Sequence, residues 1–130
     1  MSSTGLGAAL RILRDRRTLS VREISKLSDV DHAYIHRLEV GEKTNPSPEL
    51  VAKLLKALKP SDRDGVIVKW LVEHPDTSPE LVDYTLANPE IDIEVFTIAA
   101  GARHRGITRP DPSLLIERVR RAFAATQDDD

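Results

Sequence analysis

The sequence predicts an all-α fold, and three observations carry that prediction. A capping residue followed by proline recurs as SPE at 47–49, SPE at 78–80, NPE at 88–90 and DPS at 111–113. Proline at the first helical position loses nothing, because its missing N–H would be unpaired there, and an early glutamate complements the helix dipole. Apolar residues recur at helical spacing, as in Leu6, Leu10 and Leu13, in Leu50, Leu54 and Leu58, and in Leu115, Val119 and Phe123. Finally, only IDIEVFTI at 91–98 alternates as a half-buried strand would, and nothing else in the chain offers it a partner.

Taken in order, the first helix covers about 5–17 and the second about 20–27, where Ser20 stands three residues before Glu23 as in a capping box. A third runs over 31–39 behind Asp31, a fourth over 47–58 from the first SPE, and a fifth over 62–73 from Ser61, with Asp64 at capping-box spacing. SPE and NPE start helices at 79–87 and 89–103, the latter favoured over a strand because AAGA continues it, and DPS starts one at 112–125. The repeated SPELV, at 47–51 and 78–82, is read as a shared way of starting a helix, since the likeness stops after five residues.

Composition narrows the function classes. With 130 residues, 40% apolar and 31% charged, the chain can fold as one ordinary domain or two small ones, leaving the terminal DDD and a few N-terminal residues disordered. The absence of cysteine excludes disulfides, thiolate zinc sites and sulfur nucleophiles. No apolar run approaches the roughly 20 residues of a membrane helix and no leader pattern opens the chain, so a cytoplasmic protein is expected. Net charge is −2, yet residues 1–59 hold 11 Lys/Arg against 7 Asp/Glu and the remainder 8 against 14. A basic unit over 1–60 that meets a polyanion, followed by an acidic helical unit over 61–130 with another task, is the expected division.

Residues 20–41, SVREISKLSDVDHAYIHRLEVG, read as a helix, a break at Ser28, Asp29 and Val30, and a second helix. Ile24, Leu27, Val30, Ile35 and Leu38 fall where two crossing helices would bury them, which is the pattern of a helix-turn-helix. From Leu6 to Leu58, with GAALRILRDRR, LSVREIS, LEVG, the polar loop EKTNP and SPELVAKLLKAL, the chain resembles the phage repressor and Cro-like family known as XRE. Two positions depart from that family, which has a small residue where Ser25 stands and often glycine where Asp29 stands. Serine still fits a close helix contact, and aspartate tolerates left-handed turn geometry.

The resemblance implies a five-helix repressor-like domain followed by a small helical C-terminal domain, with the helix at 31–39 entering the major groove of double-stranded DNA. His32, Ala33, His36 and Arg37 then face the base edges, Arg37 as a fork on guanine and Ala33 against a thymine methyl. Phosphate contacts fall to Ser20, Val21 and Arg22 at the start of the preceding helix, to Tyr34 at the margin, and to Lys43, Thr44 and Asn45 in the following loop. The resemblance also implies that Glu39 pairs with Arg14 of the first helix as a structural ion pair.

His32 and His36 invite an enzymatic or metal reading, because four-residue spacing stacks two imidazoles on one helical face. A zinc protease helix needs H-E-x-x-H, and Ala33 occupies the glutamate position. Neither His74 nor His104 stands at a spacing that would supply a third ligand, and no nucleophile elbow, P-loop or dinucleotide fingerprint occurs. No metal, cofactor or catalytic residue is therefore expected, and the two histidines read sequence or simply face solvent.

The acidic half supplies Trp70, Leu71, Leu81, Leu86, Val95, Phe96, Ile98, Leu115, Val119 and Phe123 as a core, small for an isolated domain. Its economical use is as a homodimer interface that sets two half-sites of an inverted-repeat operator; a surface for a toxin or antirepressor is the other. The sequence-level expectation is a sequence-specific transcriptional regulator, a dimeric repressor. A DNA-binding antitoxin that autoregulates its operon, and an interaction module that has lost DNA binding, are the alternatives.

Overall fold

The computed structural model describes residues 4–101 and 111–127. Those residues form eight helices and no strand: α1 (Gly5–Arg16), α2 (Val21–Ser28), α3 (His32–Val40), α4 (Pro48–Leu58), α5 (Asp62–Glu73), α6 (Pro79–Ala87), α7 (Ile93–Gly101) and α8 (Pro112–Gln127). The acidic tip at 128–130, the residues before Thr4, the anticipated extension of α7 over 102–103 and His104 lie outside the described residues. No helix among the described residues is long and apolar enough to cross a membrane.

Side-chain caps decide where most helices begin. Thr4, Ser20, Asp31, Ser47, Ser61 and Ser78 each accept a hydrogen bond from an amide in the first turn of the helix that follows. Each satisfies one of the donors that a helix start leaves orphaned. Ser20 and Glu23 complete a reciprocal capping box. Ser61 and Asp64 form only half of one, since the Asp64 carboxylate turns inward to two arginines.

NPE at 88–90 does not start a helix. Asn88 ends α6, its N–H bonded to the Thr85 carbonyl, and the chain closes a turn with the Ile91 N–H on the Asn88 carbonyl at 3.0 Å. Arg63 holds this turn by donating to the carbonyls of Asn88 and Ile91 at 3.0 and 2.9 Å, the Asn88 oxygen being shared with the Ile91 N–H. α7 begins at Ile93 instead, which resolves the 91–98 stretch as helix preceded by a buried Ile91.

One apolar core runs through both halves of the chain, from Leu6, Ile24, Ile35 and Leu54 to Val68, Leu86, Phe96 and Ile116. α1 is the element common to both, packing on α3 on one side and on α5 and α6 on the other. Two glycines permit this: a Cβ on Gly7 would sit 2.5 Å from the Glu39 carbonyl oxygen and 2.7 Å from that of Leu38. A Cβ on Gly5 would sit 2.9 Å from the Thr77 carbonyl oxygen.

The junction also carries a buried charge cluster. Asp64, only 5% exposed, accepts from Arg16 of α1 at 2.9 Å and from Arg63 of α5 at 2.8 and 3.1 Å. Arg16 also donates to the Leu86 carbonyl and Arg63 to that of Thr85, so two guanidiniums cap the C-terminal end of α6. Cations are favourable there because unpaired carbonyls and the helix dipole concentrate negative charge.

Two expected core residues are exposed. Leu27 is 58% exposed beside α4 and Ile98 is 51% exposed on the outer side of α7. Ser28 takes the inward position in α2 that spacing suggested for Leu27, because its hydroxyl is needed to build the turn that follows. Trp70, Leu115 and Phe123 are half-buried against the core. Trp70 stacks on His74 with ring centres 3.9 Å apart and meets Phe96 edge-on at 5.4 Å.

Candidate nucleic-acid interface

The turn between α2 and α3 is assembled by short polar side chains. Asp29 takes left-handed backbone angles, φ 59° and ψ 34°, and its N–H bonds the Ser25 carbonyl at 2.9 Å. The Ser25 hydroxyl donates to the Val30 carbonyl at 2.5 Å. The buried Ser28 hydroxyl donates to the Ile24 carbonyl at 2.7 Å and accepts from the Val30 N–H at 3.3 Å. Both departures noted in the sequence, Ser25 and Asp29, are thus working parts of the turn, and aspartate needs no glycine to reach the left-handed region.

α3 leaves this turn with Asp31 accepting from the Tyr34 N–H at 3.2 Å. Ile35, Leu38 and Glu39 are buried, whereas His32, His36 and Arg37 are exposed and Ala33 is intermediate. Gly41 ends the helix at φ 87°, and the N–H groups of Glu42 and Lys43 turn back onto the Arg37 carbonyl at 2.9 and 3.1 Å. That return tethers the following loop to the end of α3. Its Lys43, Thr44 and Asn45 are exposed, and buried Pro46 anchors its far end.

Glu39 and Arg14 fix the orientation of α3 from beneath. Arg14 donates Nε to Oε2 at 2.8 Å and Nη2 to Oε1 at 2.9 Å, and its Nη1 reaches the Leu19 carbonyl at 2.8 Å. The hydrogen bond to Glu39 raises the guanidinium above its ordinary value, burial opposes this, and the charges of Glu39 and Asp15 add to it. A two-point fork of this kind constrains angle as well as distance.

At the start of α2, Arg22 is exposed and Val21 half-buried. Ser20 is already engaged: its N–H donates to the Glu23 carboxylate at 3.0 Å and its hydroxyl accepts from the Glu23 N–H at 3.0 Å. An anion at this end would meet the amides of Val21 and Arg22, which as first-turn groups have no intrahelical partner. The Ser20 N–H holds the Glu23 carboxyl below the usual carboxylate range, with the Ser20 hydroxyl adding to the effect.

Tyr34 and Arg37 share a shallow groove with Leu50 and Lys53 of α4. Lys53 belongs to no sequence motif, and its one signal is a lysine in the second turn of the helix that follows the polar loop. Asp29, Asp31 and Glu49 line the same groove, so its rim carries both signs. Among the described residues no cluster of three His, Cys, Asp or Glu side chains could hold a metal ion. His32 and His36 stand as exposed, hydrogen-bonding tips on a convex helix surface, beside the Arg37 fork.

Residues 5–64 match the family model of a helix-turn-helix domain. Over 53 residues the chain is 42% identical to the HTH-type transcriptional repressor RghR of Bacillus subtilis (strain 168), a match covering 41% of this chain and 39% of that protein. The chain therefore spans about two fifths of the length of the curated relative it matches.

Proposed function

We propose that this chain, whose residues 5–64 match the model of a helix-turn-helix domain, is a sequence-specific DNA-binding transcriptional regulator, a dimeric repressor that reads the major groove with α3. The observation that carries the reading is the division of labour on that helix. Ile35, Leu38 and Glu39 are held by the core and by Arg14, while His32, Ala33, His36 and Arg37 have no such duty and face outward.

In this reading Arg37 supplies the strongest base contact, a bidentate fork on guanine O6 and N7, with His32 and His36 on neighbouring edges and Ala33 on a thymine methyl. Val21 and Arg22 at the α2 start, Tyr34, and Lys43, Thr44 and Asn45 in the tethered loop contact phosphates, and Ser20 holds the α2 start in shape for them. The repressor named RghR supports the direction of regulation.

Dimerisation through residues 61–130 would place two copies of α3 on the half-sites of an inverted repeat, which one module cannot read with useful specificity. Leu114 on α8 and Val66 on α5, 56% and 49% exposed, are apolar surface available to such a contact.

One observation favours a second reading, an interaction module without DNA. Within residues 20–45 four exposed Lys/Arg stand against four exposed Asp/Glu, Glu39 being buried on Arg14, so the presented face is not strongly basic. Selection of sites from random duplex DNA, followed by titration over a range of salt, separates the two. The DNA reading expects an enriched inverted repeat, a steep salt dependence and loss of affinity by ~1–3 kcal/mol in Arg37→Ala. Absence of any shift at low salt would overturn it.

A further inference from the structure

We propose that the groove between α2 and α4 receives the acidic face of α7 from a neighbouring copy of this chain. The groove, about 370 Å³, is bordered by Arg17, Lys53 and Lys56, floored by Ala57 and Ser28, and carries Leu27. None of its lining residues is acidic. Arg17 also donates to the Ala57 carbonyl, which holds its charge against the floor. Three cations around a leucine that is 58% exposed call for a ligand that is both anionic and apolar.

The chain itself presents that chemistry elsewhere. Residues 88–101 hold Glu90, Asp92 and Glu94 and no basic residue. Glu94 and Ile98 stand one helical turn apart on α7, both exposed, with Ile98 at 51%. Each surface has what the other lacks: a leucine framed by cations, and an isoleucine one helical turn from Glu94, with Glu90 and Asp92 in the chain just before α7. Among the described residues nothing covers Leu27 or Ile98, 58% and 51% exposed, so the pairing is assigned between copies.

Phosphate would satisfy the three cations but leave Leu27 in water, whereas the α7 face satisfies both. Because the two surfaces differ, a contact that does not close on itself is head-to-tail and leaves one groove and one α7 face free at its ends. Copies can therefore add beside one another. The contact is separate from the dimer proposed through 61–130 and does not depend on DNA being the ligand of α3.

Sedimentation velocity of the full chain without DNA tests it, over a range of protein concentration, at low salt and at about 1 M salt, where the screening length is ~3 Å. The expected result is assembly that grows with concentration at low salt and falls back at high salt to a limiting species. Lys53→Glu with Lys56→Glu abolishes the growth, and so does Glu90→Lys with Glu94→Lys. Mixing the two doubly reversed proteins restores it, since the reversed groove of one now fits the reversed face of the other. Circular dichroism checks that these exposed substitutions leave the fold intact.

Three results would overturn the proposal: salt-insensitive assembly of the parent, growth unaffected by the groove reversal, or a mixture that stays unassociated. If the groove reversal instead weakens binding to duplex DNA and lowers its salt slope while assembly is unchanged, the groove contacts phosphate and the proposal falls.

Discussion

Gly7 lies so close to Glu39 that a methyl group on it would stand 2.5 Å from the Glu39 carbonyl oxygen. The neighbour is backbone of α3, which can yield only by moving the helix that carries the candidate base-reading residues. Gly7→Ala gains ~1 kcal/mol of helix propensity. Against this, overpacking costs ~1–3 kcal/mol in ordinary cores and more where backbone must shift. A net destabilisation of about 2 kcal/mol is expected in urea unfolding, together, under the proposed reading, with weakened binding to duplex DNA. Gly65→Ala is the control: its added Cβ meets only the Pro60 ring at 3.8 Å, so it should stabilise by roughly the propensity gain.

The fork between Arg14 and Glu39 should show the asymmetry of buried ion pairs. Their side chains are only 15% and 7% exposed, so removing Glu39 alone leaves a desolvated guanidinium, a loss of ~3–5 kcal/mol. Replacing both by methionine should cost much less than the sum of the single losses. Chemical denaturation of the two single variants and the double variant measures this, and additive losses would show that the pair is not coupled.

Asp64 is expected to matter to the helix-turn-helix half although it lies outside α1–α4. Asp64→Ala leaves the largely buried Arg63 without its carboxylate, whereas Arg16, 42% exposed, can turn to water, so the expected loss lies below the ~3–5 kcal/mol of a fully buried unpaired charge. Hydrogen exchange should show faster opening in α1 and at the end of α6, with α4 much less affected. By the same logic, a fragment ending at residue 60 removes the cover that α5 and α6 give to α1. It should unfold at lower denaturant than the whole chain, and equal midpoints would show that the first four helices stand alone.

Two carboxyl groups predict opposing pH effects in the acid range. Glu23 is lowered from its ordinary 4.5 by the Ser20 N–H and hydroxyl, so its contribution is present above that value and is lost as pH falls through the lowered one. Asp83 is raised from 3.8 by burial and by the charge of Glu80, with Arg11 opposing, so its folded form favours the proton. Its contribution is therefore present at low pH and is lost as pH rises through the raised value. Titration of the two carboxyls by nuclear magnetic resonance should give shifts of opposite sign. Fraying at the start of α2 should follow Glu23 alone and be pH-independent in Glu23→Ala.

Features encoded within a turn of chain were legible before the structure, and features set by distant partners were not. Ser20, Asp31, Ser47 and Ser78 announce helices because a cap and its amide are three residues apart. NPE at 88–90 carries the same local signature but is overruled by Arg63, 25 residues away, which takes the Asn88 carbonyl. Leu27 has the spacing of a core residue, yet the fold places the Ser28 hydroxyl inside and leaves the leucine at the edge of a groove. The close approach at Gly7 and the two arginines on Asp64 have no sequence periodicity at all, since each depends on how helices cross.

Under the proposed reading, the position of α1 extends the region from which DNA recognition can be altered. It is wedged between α3 on one side and α5 and α6 on the other, with glycine contacts too short to absorb displacement. Substitutions at Thr77, Leu86 or Asp64, none of them on the presented face of α3, would tilt that helix through α1 as a lever rather than merely loosen the fold. A hunt for variants with relaxed operator preference should therefore recover changes in the acidic half, and their pattern would trace the path along which strain passes from one end of the molecule to the other.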